Sequence, residues 1–480
     1  MNKSLLKKAY SSKDFRIRGH QLIDQLADHL EAQIHNDSTP TIDWHIPEDE
    51  RVYWNEFLVN GNETELFAQI LKRTTSVHNP KCIGHQVTPT VPVTALTAMM
   101  SGLLNNGMAI YEMGMAPSAM ERIVTDLLCK KIGYATDSRG FLTSGGTLAN
   151  LTALLSARKA KVENDIWNQG HDQALGIMVS EEAHYCVDRA AKIMGLGEKG
   201  IIKIPATKAF TIDTTLLESE YQKAMANGIQ VFAIVGSAPS TATGVYDDLE
   251  AIGVFAKKHN VWFHVDGAHG GAAIFSEKYR NTVSGIEMAD SVVIDGHKMM
   301  MLPTITTALL FKNGNHSHAT FSQKADYLLV KSDDEDWYNK AKRTFECTKT
   351  MMSIHWYTML KIYGEGIFEE YVTLLYDMGR AFANMILDAP DFELGVEPHS
   401  NIVCFRYIDP SLDNEGLNQL NAEIRQHLLE DGEFYIVQTK LRTKHFLRCT
   451  VMNPFTSEKH FKALLKKING IGHNLRVADS

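Results

Sequence analysis

Segment 291–300, SVVIDGHKMM, sets Asp295, His297 and Lys298 directly behind an apolar run. A lysine at such a place can condense with an aldehyde, provided burial and neighbouring positive charge lower its pKa enough to free the amine. Taken alone, the segment reads more readily as a surface lysine after a strand. A second apolar segment, VWFHVD, ends in Asp266 and is followed by Gly267, Ala268 and His269. A carboxylate beneath a pyridine nitrogen keeps that nitrogen protonated, so the ring can accept the electron pair of a bond broken at a neighbouring carbon. His264, Asp266 and His269 could also serve as metal ligands, although no further histidine or carboxylate completes an obvious set. In GFLTSGGTLANLTALLSARKA, the small residues 143–147, including Gly145, Gly146 and Thr147, stand between a strand and a helix pattern. Glycine lets the backbone approach a dianion, and the free N–H groups and dipole of a helix start favour one. The segment lacks both the Walker lysine and the dinucleotide-binding glycine pattern. Finally, SEEAHYCVDRAAKI places His184 beyond another apolar run, where an imidazole could stack on a flat ring. Phosphate turn, stacking histidine, ring carboxylate and lysine together describe a site for pyridoxal 5'-phosphate.

These groups need a rigid scaffold. Apolar runs at 176–179, 201–204, 231–235, 261–265, 291–294 and 307–311 alternate with helical stretches. That rhythm predicts an α/β fold with a mostly parallel sheet covered on both faces, in which chemistry collects at the carboxyl ends of the strands. Earlier, Phe15, Gly19, Leu22, Ile23, Leu26 and Leu30 recur at helical spacing and form an apolar stripe that needs a surface to cover. After 365 the pattern changes to helix, strand near 402–407, helix, and strands around 434–438 and 445–452, which predicts a smaller α+β domain. The expected divisions are an N-terminal helical dimerisation segment at 1–95, a cofactor-binding large domain at 96–365 and a small C-terminal domain at 366–480.

Composition narrows the partners. With 480 residues, 44% hydrophobic and 22% charged, the chain has ample core for a globular protein. The net charge of -9 supplies no basic field for nucleic acid or anionic lipid, so a small molecule is the expected partner. Six cysteines without a C-x-x-C pair suggest neither a disulfide framework nor a zinc cluster. With no secretory signal and no apolar run long enough to span a membrane, the expected location is the cytoplasm.

Over nearly its whole length the sequence resembles the group II pyridoxal-phosphate amino-acid decarboxylases, relatives of the aromatic amino-acid, glutamate and diaminobutyrate enzymes. The family's aspartate and following small residue correspond to Asp266 and Ala268, its Asp-x-His-Lys element to Asp295, Gly296, His297 and Lys298, and its stacking histidine to His184. The resemblance implies the aspartate-aminotransferase-like large domain of fold-type I enzymes and a homodimer with active sites at the subunit interface. It implies that Gly145, Gly146 and Thr147 hold the phosphate with Asp295 or His297, and that Ser240 in GSAPSTATG sits near the ring. There the sequence departs from the family's Gly-Thr-Thr, with Pro239 for glycine and serine for threonine. Asp295 replaces the asparagine of animal relatives, and its charge would repel phosphate unless turned toward backbone donors. Tyr327 falls where the family's mobile-loop tyrosine protonates the alpha carbon after carbon dioxide leaves, with Tyr338 a second candidate in the same acidic stretch.

Arg448 in HFLRCTVM matches a family arginine that meets the substrate carboxylate. In NPKCIGHQVTP either His85 or Gln86 takes a pocket position, and Thr88 resembles another. The large aromatics of aromatic-substrate relatives are missing from this stretch, which favours an acidic or polar amino acid. The expected reaction is therefore decarboxylation of an L-amino acid to its amine. Other fold-type I chemistries, transamination or oxidative aldehyde formation, are distinguished by assaying carbon dioxide, keto acid and hydrogen peroxide together. A non-catalytic relative would stay colourless with added cofactor.

Overall fold

All six apolar runs form strands in the computed structural model, which describes residues 4–36, 38–321 and 336–479. A seventh strand precedes them. The strands are β1 (Arg139–Thr143), β2 (Leu175–Ser180), β3 (Ile201–Ile204), β4 (Gln230–Ser237), β5 (Trp262–Asp266), β6 (Ser291–Asp295) and β7 (Thr307–Phe311), in the sheet order β1-β7-β6-β5-β4-β2-β3. Neighbours among β2 to β6 pair in parallel, as expected, whereas β7 runs antiparallel to both β6 and β1. The reason is the connection: 296–306 is a loop without a crossover helix, so the chain turns back at the same edge of the sheet. Every residue of β2, β6 and β7 is buried, which is why these strands read as continuous apolar runs.

The helix Gly146–Lys161 lays Ala149, Leu151, Ala153, Leu154 and Ala157 into a core shared with Phe141, Ile177, Val187 and Trp262. Burying one large aliphatic or aromatic side chain contributes roughly 1.5–3 kcal/mol. Such a core holds the strand ends in fixed register.

The chain divides into two compact units, one of Gln86–Asn384 and Leu394–Cys404, the other of Met1–His85, Met385–Glu393 and Phe405–Ser480. In the latter the N-terminal residues join the C-terminal elements. The helix Asn414–Asp431 ends at Gly432 with φ +76°, where a Cβ would come within 2.2 Å of the Ile42 carbonyl oxygen. Thr41 and Ile42 N–H both donate to the Gly432 carbonyl, at 2.9 and 3.2 Å. A second sheet has the order β10-β11-β9-β8, built from β8 (Phe392–Leu394), β9 (Ile402–Tyr407), β10 (Val437–Leu441) and β11 (Lys444–Thr450). β10 starts later than its apolar pattern suggests because Tyr435 bridges Cys82 instead of β11. Among the described residues, no helix is long and apolar enough to cross a membrane.

Candidate active site

Parallel pairing brings the carboxyl ends of β4, β5 and β6 to one edge of the sheet, and the reversed β7 returns β1 to that edge too. Asp266 is the last residue of β5, Asp295 the last of β6, and Thr143 the last of β1. A cavity of about 330 Å³ opens there, lined by Asp266, Ala268, Asp295, His297, Lys298 and His184, by the turn 144–147, and by Gln86.

Charge in the cavity differs from expectation. Lys298 Nζ lies 3.0 Å from Asp295 Oδ2, and Thr307 Oγ1 donates to Asp295 Oδ1 at 2.5 Å. Burial pulls the lysine pKa down, but the charges of Asp295 and Asp266 and the hydrogen bond to Asp295 outweigh it and hold the pKa above its ordinary value. The neighbours that were to be positive are carboxylates, so Lys298 rests as an ammonium. Among the described residues, the Asp295 carboxylate is met by side chains: Lys298, the Thr307 hydroxyl and His297, whose Nε2 lies 3.6 Å away.

His184 caps the helix Tyr185–Ile193, its Nδ1 accepting the Cys186 N–H at 3.3 Å. Burial pushes its pKa down against the opposing pull of Asp266, which favours the neutral ring. With Nδ1 accepting, the proton of that neutral ring belongs on Nε2. Among the described residues, His264, Asp266 and His269, the alternative metal ligands, do not come together as one set. Instead, His264 accepts or donates to Asn150 and Ser291 within 2.8 Å, and His269 Nε2 is 2.8 Å from Asn401 Oδ1.

The turn after β1 fits a phosphate. Gly145 has φ +95°, a conformation that L side chains rarely adopt, and leads directly into the helix Gly146–Lys161. A Cβ on Gly146 would press to 3.2 Å of Asp295 Oδ2 and 3.4 Å of the Ala268 side chain, so only glycine leaves the cradle open. A helix start for an anion, a lysine, a buried carboxylate and a flat imidazole around one cavity suit pyridoxal phosphate.

The comparisons agree. Residues 61–408 match the model of the pyridoxal-dependent decarboxylase conserved domain. The chain belongs to the pyridoxal-dependent decarboxylase family. The decarboxylase is 25% identical over 478 residues to an aromatic-L-amino-acid decarboxylase of Bacillus atrophaeus, covering 98% of this chain and 97% of the other. It is 28% identical over 419 residues to an L-2,4-diaminobutyrate decarboxylase of Acinetobacter baumannii, covering 84% and 81%. Among solved structures it resembles the glutamate decarboxylase domain of a diaminobutyrate-pyruvate transaminase and L-2,4-diaminobutyrate decarboxylase from Vibrio parahaemolyticus, with TM-score 0.81, 26% identity and coverage of 94% and 96%. It is thus a pyridoxal-phosphate-dependent carboxy-lyase acting on an amino acid.

Other expected site residues are placed differently. Ser240 is buried and its hydroxyl donates to the Glu182 carbonyl at 3.0 Å, while its neighbours Pro239 and Thr241 line the decarboxylase cavity. Thr88 is also buried, its Oγ1 2.8 Å from Tyr371 Oη. Of the pair in NPKCIGHQVTP, Gln86 lines the cavity. His85 and Arg448 belong to the other unit, where burial first, and then the charges of Arg448 and Arg425, lower the His85 pKa. Tyr327 lies outside the described residues, and the Tyr338 ring packs 5.4 Å from that of Tyr111.

Four contributors escaped the sequence reading. Asn150 donates to the Gly146 carbonyl at 2.9 Å and approaches Cys186 Sγ at 3.5 Å. Cys186 itself lines the cavity, as does Ile305. Glu346 Oε1 accepts from Thr143 Oγ1 at 2.8 Å and Ser144 N–H at 2.9 Å, so it braces the turn. Asn150, one helical turn beyond Gly146, and Cys186, two residues beyond His184, were open to inference from spacing; Glu346 was not.

Proposed function

We propose that Lys298 holds the cofactor of this decarboxylase and that the preferred substrate is an acidic or polar L-amino acid. The observation that carries the assignment is the convergence of Lys298, Asp266, His184 and the Gly145–Thr147 turn on one cavity. Bound there, pyridoxal phosphate supplies an electron-accepting ring for the pair left behind when carbon dioxide departs.

The protein's own part follows from its charges. Asp266 would provide the negative charge that keeps a bound ring nitrogen protonated, and Ala268 is a small residue in the same cavity wall. Asp295 Oδ2, 3.0 Å from Nζ, holds the Lys298 side chain at the cavity as an ammonium, so the amine is freed only when its proton passes to another acceptor. The neutral His184 offers a flat face and an Nε2 proton. Gly145, Gly146 and Thr147 would hold the phosphate with His297, while Asp295 steadies Lys298. Gln86, at the cavity, and Thr88 are assigned to the substrate, and His85 and Arg448 are assigned to it by the resemblance alone. Tyr327, outside the described residues, is assigned the proton given to the alpha carbon, from the resemblance alone.

The substrate preference rests on Gln86 in the cavity and on the diaminobutyrate enzyme among the relatives. Incubation with the standard amino acids plus 2,4-diaminobutyrate, ornithine, cysteine sulfinate and dihydroxyphenylalanine, with carbon dioxide measured, tests it. Dihydroxyphenylalanine or tryptophan as the fastest substrate would refute it. Borohydride reduction followed by peptide mapping tests the lysine, and an adduct elsewhere would overturn the assignment.

A homodimer fits the exposed apolar faces: Phe15, Ile17 and Ile23 on the helix Ser12–His35, and Met100, Leu103 and Leu104 on the helix Pro92–Leu104. Deleting residues 1–30 is expected to give aggregated or inactive protein in sedimentation and activity assays; a stable, fully active monomer would contradict this. A cytoplasmic location is supported by six free thiols.

A further inference from the structure

Cys186 has no task in the cofactor reading, yet it faces the cavity between two residues that do. One donor atom each from His184, Cys186 and Asp266 lies within 4.8 Å of the others, and Cys186 Sγ is 3.9 Å from Asp266 Oδ2. We propose that these three side chains form a site for a soft divalent cation of the zinc type, open only while the cofactor is absent, so that metal and pyridoxal phosphate exclude one another. This rests on the assignment of His184 and Asp266 to the cofactor ring.

The donors suit the ion. Imidazole nitrogen, thiolate sulfur and carboxylate oxygen bind zinc at roughly 2.0–2.3 Å, which in a tetrahedron sets ligand atoms about 3.5 Å apart. The present spacing needs a contraction on the order of 1 Å. Three protein ligands around an open cavity leave the fourth position to water, the arrangement of accessible zinc sites.

Local structure has already brought the ligands together. Because His184 caps its helix through the Cys186 N–H, the two side chains sit at one helix start, facing the end of β5. Burial and the Asp266 charge push the Cys186 thiol pKa up, so without metal it is a protonated, unreactive thiol. Coordination breaks its S–H bond and releases that proton to solvent, and the neutral His184 ring, its proton on Nε2, binds through Nδ1 in place of the Cys186 N–H; two anionic ligands then neutralise a dication. The opposing ammonium of Lys298 is held on Asp295 at 3.0 Å.

Cobalt(II) alone is the probe, added to the full chain freed of cofactor. Expected are one equivalent bound, a thiolate-to-cobalt charge-transfer band with intense tetrahedral visible bands, displacement by zinc(II), and release of the metal when pyridoxal phosphate is added. In Cys186→Ser the charge-transfer band should vanish and affinity fall at least about tenfold. A band that survives in Cys186→Ser, no band in the native chain, or an equal band in the cofactor-loaded native chain would each overturn the site. The last measurement needs no variant, so a misfolded Cys186→Ser leaves the test intact. If the borohydride adduct maps away from Lys298, the cofactor assignment fails, while the cobalt titration of the cofactor-free chain still decides whether the three ligands bind metal.

Discussion

Two buried clusters of lysine and carboxylate lie in the larger unit, and they differ in proportion. At the cavity, one lysine, Lys298, faces two aspartates, and its pKa is held above the ordinary value. Elsewhere Glu121 Oε1 lies 2.9 Å from Lys349 Nζ and 3.4 Å from Lys340 Nζ, with all three side chains almost fully enclosed. There burial wins over a single shared carboxylate, with help from Lys349, and Lys340 is pushed down to about 8. The lysine with the depressed pKa is therefore not the one at the cavity. Proportion of charges sets the direction of the shift, and access to a cavity, rather than a low pKa, marks the residue able to meet a cofactor.

Breaking the cavity cluster should have the largest effect. Lys298→Ala is expected to lower turnover by at least roughly 10⁴-fold and to leave no cofactor attached after borohydride reduction; undiminished turnover would erase the distinction between the two clusters. Glu121→Gln strands two enclosed ammonium groups and also weakens the bond that Leu142 N–H makes to Oε1 at 3.2 Å. It should cost about 3–5 kcal/mol in urea unfolding, with turnover per folded chain retained. Asp266→Asn keeps shape but removes charge, and kcat is expected to drop about 10²–10³-fold with little change in the unfolding midpoint.

The smallest effect concerns pH. Lys340 has a folded value near 8 against 10.5 for the free side chain, so between those values the unfolded chain binds the extra proton and stability rises with pH. Lys298, raised above 10.5, has the opposite sign: its contribution is complete below that pH and is lost as pH climbs through the folded value. In Lys340→Met the gain in urea midpoint between pH 8 and 10 should shrink relative to the native chain. An unchanged gain would show that the sealed cluster does not titrate there.

Much of the scaffold was legible because strands buried on both faces must be apolar, and 291–294 or 307–311 leave little choice. That Asp266, Lys298 and the glycine turn would stand at one cavity could be read for a similar reason: backbone geometry and strand ends constrain which residue types can stand there. The reversed β7 was not legible, since strand direction depends on where a chain returns and not on its own residues. Nor were the charges around Lys298. The role of Asp295 depends on a hydroxyl twelve positions later, and the bracing of Thr143 and Ser144 depends on Glu346, more than two hundred positions away. Ser240 shows the reverse: its neighbours Pro239 and Thr241 line the cavity, while its own hydroxyl donates to the Glu182 carbonyl, a facing that spacing along the chain does not reveal.

The antiparallel course of β7 makes Thr307 a hinge pin for the whole site. In one register it sits opposite Thr143, which begins the glycine turn, and opposite Asp295, which steadies the lysine. A slip of that strand by a single position would therefore dislodge the anion cradle and the lysine's companion at the same moment.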